Sequence, residues 1–183
     1  MRKIKAMLFP LLTAALAFTP LHDEPTQNLI IYGGGGGASF SRSCGDDKVL
    51  VGFEYRTGLV IDALSLICRP INSVSGLLGN DTQIGTKVGG SGGTQGVATC
   101  SSNSVVAGLR IDYGSVLNGI RLTCRDWRAS LREWGSTETV KWIGKAGGNS
   151  EVEKCSYQFQ PAVGIRGRSG MVVDAIGLVC NEP

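Results

Sequence analysis

The 183-residue sequence is poor in histidine, in net charge and in long apolar runs. Its one histidine, His22, lies close to the N-terminus, which nearly excludes a Ser-His-Asp triad, a Cys-His pair or a histidine-rich metal site in the folded body. Lysine and arginine total 18 against 15 acidic residues, and three of the 18 (Arg2, Lys3 and Lys5) lie in the first five residues. Because the remaining charges balance, the composition gives no reason to expect nucleic-acid binding.

The longest apolar run, Ala6 to Leu16, is too short to span a bilayer. It follows a cationic segment and ends at the small-x-small sequence Ala15-Leu16-Ala17. This pattern is typical of a secretory signal peptide at residues 1–17, the alternative being a buried N-terminal helix. Residues 18–27 contain two prolines and are expected to form a flexible leader before a single domain at 28–183. We therefore expect a secreted or periplasmic protein without a membrane span.

Glycine and cysteine, in contrast, mark a threefold internal repeat with cores at 33–68, 89–124 and 144–180. Glycines recur at equivalent positions: Gly36-Gly37, Gly92-Gly93 and Gly147-Gly148 before the first cysteine of each copy, and Gly58, Gly114 and Gly170 after it. The cysteines fall 24 or 25 residues apart in successive pairs: Cys44 and Cys68, Cys100 and Cys124, Cys155 and Cys180. Six cysteines allow fifteen pairings, and the repeat favours this symmetric one in an oxidising compartment.

Short β-branched runs at 49–55, 105–111 and 162–167, each followed by a glycine and a second apolar run, predict a strand-turn-strand unit in every copy. Asn28–Tyr32 is predicted to form one strand before the first glycine-rich loop. The connectors 69–88 and 125–143 are each long enough for two strands, with a turn near Gly135-Ser136 in the second. Three units of about four strands predict an all-β architecture with threefold pseudosymmetry.

The three tryptophans, Trp127, Trp134 and Trp142, lie only in the second connector. Large aromatic side chains contribute most when they are buried between sheets, although a row of them also suits a binding platform. We predict packing between sheets.

The glycine loops and the sequence GRSGMVVDAIGLVC resemble the jacalin-related lectins, whose signature is an early Gly-Gly loop and a late G-x-x-x-D loop. The late loop stands here as Gly170-Met171-Val172-Val173-Asp174, and the first copy repeats it as Gly58-Leu59-Val60-Ile61-Asp62. The second copy departs from it, with Gly114-Ser115-Val116-Leu117-Asn118. The resemblance covers about Asn28 to Cys180 and implies a β-prism of three four-stranded Greek-key sheets. The cysteine placement and LNGIRLTC are similar to the vitelline membrane outer layer proteins, which share the prism but form a structural coat.

The lectin resemblance implies two sugar sites, each closed on one monosaccharide without metal or cofactor. Gly170 to Asp174 would meet Gly36-Gly37, and Gly58 to Asp62 would meet Gly92-Gly93. The implied carbohydrate-binding residues are Gly36, Gly37, Gly170, Met171, Val172 and Asp174, and Gly58, Leu59, Val60, Asp62, Gly92 and Gly93. An ionised aspartate accepts hydrogen bonds from two vicinal hydroxyls, whereas Asn118 lacks the charge and predicts a weak or dead third loop. In the related lectins the choice of sugar depends on whether the chain is cleaved within the domain. The resemblance, with a continuous backbone here, therefore implies a mannose-type or glucose-type glycan, or a glycosylated surface, as the partner.

Two other hypotheses stay open from the sequence. The loop aspartates could brace their own loops, or pair with Arg56 and Arg168 two residues before the loop glycines, in a structural coat, matrix or inhibitor-like protein. A glycosidase would need two carboxylates at a set separation, and no recognisable pair occurs among Asp46, Asp47, Glu54, Asp112, Glu151 and Glu153. We therefore expect no enzyme activity. Pairing of prism edges into a homo-oligomer is also left open.

Overall fold

A computed structural model describes residues 27–28, 30–72, 75–128, 133–140, 142–155 and 160–180, which contain strands and no helix. The strands are β1 (Gln27–Asn28), β2 (Tyr32–Gly33), β3 (Ala38–Ser43), β4 (Lys48–Thr57), β5 (Ile61–Pro70), β6 (Gln83–Ile84), β7 (Val88–Gly89), β8 (Thr94–Thr99), β9 (Ser104–Tyr113), β10 (Leu117–Arg128), β11 (Glu133–Thr139), β12 (Ile143–Gly144), β13 (Asn149–Lys154), β14 (Ala162–Ser169) and β15 (Val173–Cys180). The predicted signal peptide lies outside the described residues, as does the leader except Gln27, which already belongs to β1.

These strands form three antiparallel sheets on one plan. Their strand orders are β1/β2-β15-β14-β3 in sheet 1, β6/β7-β5-β4-β8 in sheet 2 and β11/β12-β10-β9-β13 in sheet 3. Each sheet has a long central hairpin, a broken strand on one side and a six-residue strand on the other. In sheets 2 and 3 the last strand returns to lie beside the first, which is the Greek-key connection. The predicted β-prism with threefold pseudosymmetry is confirmed.

The repeat in the sequence and the sheets in the structure are out of phase. The outer strand before the first cysteine of each copy belongs to one sheet, and the hairpin after that cysteine belongs to the next. As a result, sheet 1 combines β1 to β3 from the N-terminal part of the chain with β14 and β15 from the C-terminal part. The two ends of the described chain therefore close the prism together.

The three disulfides follow the symmetric pairing that the repeat predicts. Each joins the end of an outer strand to the central hairpin of the next sheet, so the three bonds link sheet 1 to sheet 2, sheet 2 to sheet 3, and sheet 3 back to sheet 1. Beside each bond, the first cysteine donates its N–H over 2.8 Å to the carbonyl of an extra residue in a β-bulge: Val163 for Cys44, Val51 for Cys100 and Ala107 for Cys155.

The inward faces of the three sheets meet in one apolar core. Alternate residues of the central hairpins are fully buried there, among them Leu50, Phe53, Ile61, Leu109, Ile111, Leu122 and Ile165. Trp127 is buried in a second cluster with Val49, Val51, Ile67 and Val105, and its indole N–H donates over 2.8 Å to the carbonyl of Gly76. Trp127 thus packs as predicted, Trp134 lies on β11 opposite it, and Trp142 is half-buried at the surface of sheet 3.

Two details of the predicted strands are wrong. The turn expected near Gly135-Ser136 does not form, because both residues lie inside β11, which pairs with an extended β10 and is interrupted only after Thr139. The single strand expected at Asn28–Tyr32 is divided into β1 and β2, which both pair with β15. No helix long and apolar enough to cross a membrane occurs among the described residues.

Candidate functional site

Each long hairpin turns at its glycine and then contains a β-bulge that places one polar side chain. In sheet 2, Arg56 pairs with Ala63 and Thr57 with Ile61, so Asp62 is the extra residue. Asp174 is the extra residue of the same bulge in sheet 1, and Asn118 is its counterpart in sheet 3. A bulge breaks the in-out alternation of a strand and redirects one side chain.

The bulge residue of each hairpin faces a glycine pair from the neighbouring loop. We call Gly36-Gly37 with Gly170–Asp174 loop pair 1, Gly92-Gly93 with Gly58–Asp62 loop pair 2, and Gly147-Gly148 with Gly114–Asn118 loop pair 3. The structure brings the segments of all three pairs together. Loop pairs 1 and 2 correspond to the two sugar sites that the family resemblance implied.

Glycine is required in pairs 1 and 2 because the carboxylate occupies the space of a side chain. A Cβ on Gly36 would lie 2.4 Å from Oδ1 of Asp174, and one on Gly37 would lie 2.5 Å from Oδ2. In pair 2, a Cβ on either residue of Gly92-Gly93 would lie 2.4 Å from an oxygen of Asp62. The second glycine of each pair also has a positive φ, +61° and +64°, which other residues rarely adopt.

Two arginines hold the carbonyl side of these glycine loops. In pair 2, Arg56 donates from Nε to the Gly92 carbonyl and from a terminal nitrogen to the Gly93 carbonyl, both over 2.7 Å. In pair 1, Arg168 donates in the same way to three successive glycine carbonyls over 2.6 to 3.0 Å. The proposed pairing of these arginines with the loop aspartates is therefore wrong, because both arginines bind the backbone of the glycine loops instead.

The two loop carboxylates are left without partners. No described residue donates a hydrogen bond to the side chain of Asp62 or Asp174. Asp174 is 8% exposed, and its Oδ2 is buried with no partner. Buried polar atoms are nearly always satisfied, so an unsatisfied carboxylate is unexpected for a side chain that only braces its own loop. The same glycine pairs have backbone N–H groups for which the described residues provide no acceptor.

Loop pair 3 differs, because its asparagine and its first glycine have hydrogen-bond partners within the protein. The Asn118 amide donates over 2.9 Å to the Gly147 carbonyl, and the Gly147 N–H donates over 2.8 Å to Oδ2 of Asp112. Asp112, which stands where the other copies have arginine, also accepts from Ser150 and Arg110. Burial raises the pKa of Asp112, but the hydrogen bonds from Ser150, Gly147 and Arg110 outweigh it and hold that pKa below its usual value.

The loop pairs lie at one end of the prism and touch one another. A Cβ on Gly90 would lie 2.1 Å from the Met171 carbonyl, and one on Gly34 would lie 1.8 Å from the Ser115 carbonyl. At the tips of the two turns, Met171 and Leu59 are 89% and 76% exposed. Sequence reasoning missed the contacts that Gly34 and Gly90 make between loops, and it missed the hydrogen bonds from the arginines to the glycine carbonyls. The recurrence of Gly34 and Gly90 at equivalent positions of the repeat was a signal for the loop contacts.

The arrangement defines a β-prism with three loop pairs at one end, and the comparisons with known proteins agree with the fold. Malaysian banana lectin superposes with a TM-score of 0.61 at 20% identity, covering 87% of this chain and 100% of the lectin. A mannose-specific jacalin-related lectin from Morus nigra, solved with mannose, gives 0.63 at 20% identity over 86% of this chain and 95% of its own. A mannose-binding jacalin-related lectin from Ananas comosus gives 0.62 at 18% identity over 86% and 99%. No protein-family model and no curated protein matches the sequence.

Proposed function

We propose that this chain is a metal-independent carbohydrate-binding protein with two sugar sites, at loop pairs 1 and 2. The observation that carries the proposal is that, within the described part of the chain, each pair presents an aspartate without a hydrogen-bond partner against two glycines whose N–H groups also have none. A pyranose supplies the missing partners, since its hydroxyls both donate and accept. In loop pair 3 the Asn118 amide and the Gly147 N–H already have protein partners, so we do not propose a sugar site there.

The chemistry of each site follows from these unpaired groups. The carboxylate of Asp174 or Asp62 accepts hydrogen bonds from two adjacent sugar hydroxyls, and bonds to a charged acceptor are the stronger kind. The glycine N–H groups donate to sugar oxygens, and the missing Cβ lets the ring approach the backbone. Because Arg168 and Arg56 hold the loop carbonyls, the loops keep the orientation that directs N–H groups to the ligand.

The class of sugar that we propose is the mannose or glucose type. Structural neighbours are described as mannose-specific or mannose-binding, which supports this class at the level of the shared fold. Exposed Met171 and Leu59 at the turn tips supply apolar surface for the C–H face of a pyranose. Three disulfides favour a non-cytoplasmic or secreted protein, where such glycans are exposed on surfaces. Two sites on one chain would raise the affinity for clustered glycans.

A glycan array with the oxidised protein tests the proposal. The Asp62→Ala/Asp174→Ala variant should lose binding, because each hydrogen bond to a charged group contributes about 1.5–3 kcal/mol, or at least tenfold in affinity. The matched control is Asp46→Ala/Asp81→Ala, which removes the same charge from exposed positions outside the loop pairs. Glycan binding that survives unchanged in the first variant would refute the two sites. A blank array with saturable binding of a protein would favour the coat or inhibitor-like hypothesis.

A further inference from the structure

The outer face of sheet 3 carries an aromatic and cationic cluster, which we call the Arg-Trp cluster: Arg110, Arg121 and Trp142. Arg110 on β9 and Arg121 on β10 lie directly opposite each other in the sheet register. Their guanidinium carbons are each 5.4 Å from the centre of the Trp142 ring. Two guanidinium groups are thus held against one ring, which orients both of them by cation–π contact.

The equivalent positions on sheet 2 hold different side chains. The residues at the repeat positions of Arg110 and Arg121 are Glu54 and Ser65, which face each other across β4 and β5. Glu54 accepts a hydrogen bond over 2.9 Å from Gln95, so this face is polar and carries an acidic group. On sheet 1 the equivalent pair is Arg166 and Gly177, so among the described residues only sheet 3 has two arginines opposite each other at these positions.

The cluster also has more positive charge than its neighbours neutralise. Arg110 forms an ion pair with Asp112 at 3.2 Å, but that carboxylate already accepts bonds from Ser150 and Gly147. Arg121 has no ion pair among the described residues, and its Nε is buried without an acceptor. Like charges directly opposite each other in a sheet are destabilising. An anion placed between them would reverse the sign of that interaction.

We propose that the Arg-Trp cluster binds an oxyanion, the sulfate ester or carboxylate of an acidic glycan. The guanidinium fork matches the oxygens of both groups, and two forks held against the same tryptophan ring give a site for one oxyanion. The Arg110 side chain is 42% exposed, so the cluster is open to a ligand. This site does not depend on Asp62 or Asp174, and it differs from the two proposed sugar sites in requiring charge on the ligand.

Calorimetric titration with a sulfated disaccharide, a uronic-acid disaccharide, their neutral counterpart and inorganic sulfate tests the site at low ionic strength. We expect the sulfated or the uronic-acid disaccharide to bind at the Arg-Trp cluster and the neutral disaccharide not to bind there. The disaccharide that binds shows whether the cluster recognises a sulfate ester or a carboxylate. Arg121→Gln should weaken binding at least tenfold, and Arg121→Lys should restore part of it. Raising the salt concentration should weaken binding, since the site is at the surface.

The matched control is Arg42→Gln on β3 of sheet 1, where the arginine side chain is half-buried on the same face as the core residue Ile165. Arg42 also has a buried Nε without a partner, and its replacement removes the same charge where no tryptophan contact exists among the described residues. Arg42→Gln and the Asp62→Ala/Asp174→Ala variant should both bind the acidic ligand as the wild type does. No binding by the wild type, or an equal loss in Arg42→Gln and Arg121→Gln, would overturn the proposal.

Discussion

Glu153 connects two sheets through a buried carboxylate, and this contact predicts how stability depends on pH. The side chain lies on β13 of sheet 3, is 5% exposed, and accepts a hydrogen bond over 3.0 Å from the backbone N–H of Leu178 in sheet 1. Burial raises the pKa of Glu153 from its ordinary value of 4.5 to about 7, against the opposing effects of the Leu178 hydrogen bond and the charge of Arg166.

This raised pKa means that the Glu153 contribution is stabilising at low pH and is lost as the pH rises. Below the unfolded-state pKa the group is protonated in both states. Between that value and about 7, the unfolded chain releases the proton and the folded chain keeps it, so the free energy of unfolding falls. Above pH 7 the folded protein holds a buried charge. The difference between the two pKa values corresponds to a loss of about 3 kcal/mol across this window.

The test is denaturant unfolding of the oxidised protein at pH 5 and pH 8. Glu153→Gln keeps an oxygen for the Leu178 N–H but cannot ionise, so it should remove about 2 kcal/mol of the pH-dependent difference. Glu151→Gln, an exposed position on the same strand, is the matched control and should behave as the wild type. If wild type and Glu153→Gln show the same pH dependence, the buried carboxylate is not the titrating group and the reasoning is refuted.

Three further predictions concern the loops and the disulfides. Gly37→Ala should abolish glycan binding at loop pair 1 and destabilise the protein by more than about 1 kcal/mol, whereas Gly35→Ala, with open space around its Cβ, should do neither. Removing the bond between sheets 1 and 2 with Cys44→Ser/Cys68→Ser should cost about 3 kcal/mol in thermal or denaturant unfolding, and an unchanged midpoint would contradict its role. Asn118→Asp should not create a third sugar site; it should destabilise its loop pair by about 1 kcal/mol, less in acid, and a gain in glycan stoichiometry would disprove this.

The threefold arrangement of the sheets could be predicted from the sequence because the sequence contains a threefold repeat. Glycine spacing set the phase of the three copies, and the same phase selected one cysteine pairing out of fifteen. The association of Gly36-Gly37 with Asp174 required the family resemblance, since no local pattern relates segments at opposite ends of a chain. What the sequence could not supply was the out-of-phase relation between repeat and sheet, because the pairing of an outer strand is a long-range contact.

The side-chain directions at the candidate sites were also beyond sequence reasoning. Arg56 and Asp62 have the spacing of an ion pair, but the bulge at Asp62 shifts the alternation by one residue and directs the two side chains to different partners. Likewise, the Gly135-Ser136 dipeptide has the composition of a turn, but β10 is long enough to pair with the whole of β11. In both cases a tertiary contact outweighed a local preference.

The three copies of the repeat share one scaffold of sheets and disulfides but differ in the polar side chains of their loop pairs, so the three loop pairs present different surfaces. The disulfide cycle and the shared sheet 1 fix the prism, and the loop pairs contribute core residues of their own, such as Ile61 and Val173. Within this shared plan the polar side chains of the loop pairs differ, as loop pair 3 shows: Asn118 stands at the position of the acceptor aspartate, and Asp112 at the position of the arginine that holds a carbonyl. The two replacements act together, because Asn118 binds the carbonyl of Gly147 and Asp112 accepts from its N–H, which forms one hydrogen-bond network. The Arg-Trp cluster lies beside that network and shares Arg110 with it, so the proposed oxyanion site and the hydrogen bonds of loop pair 3 are physically linked.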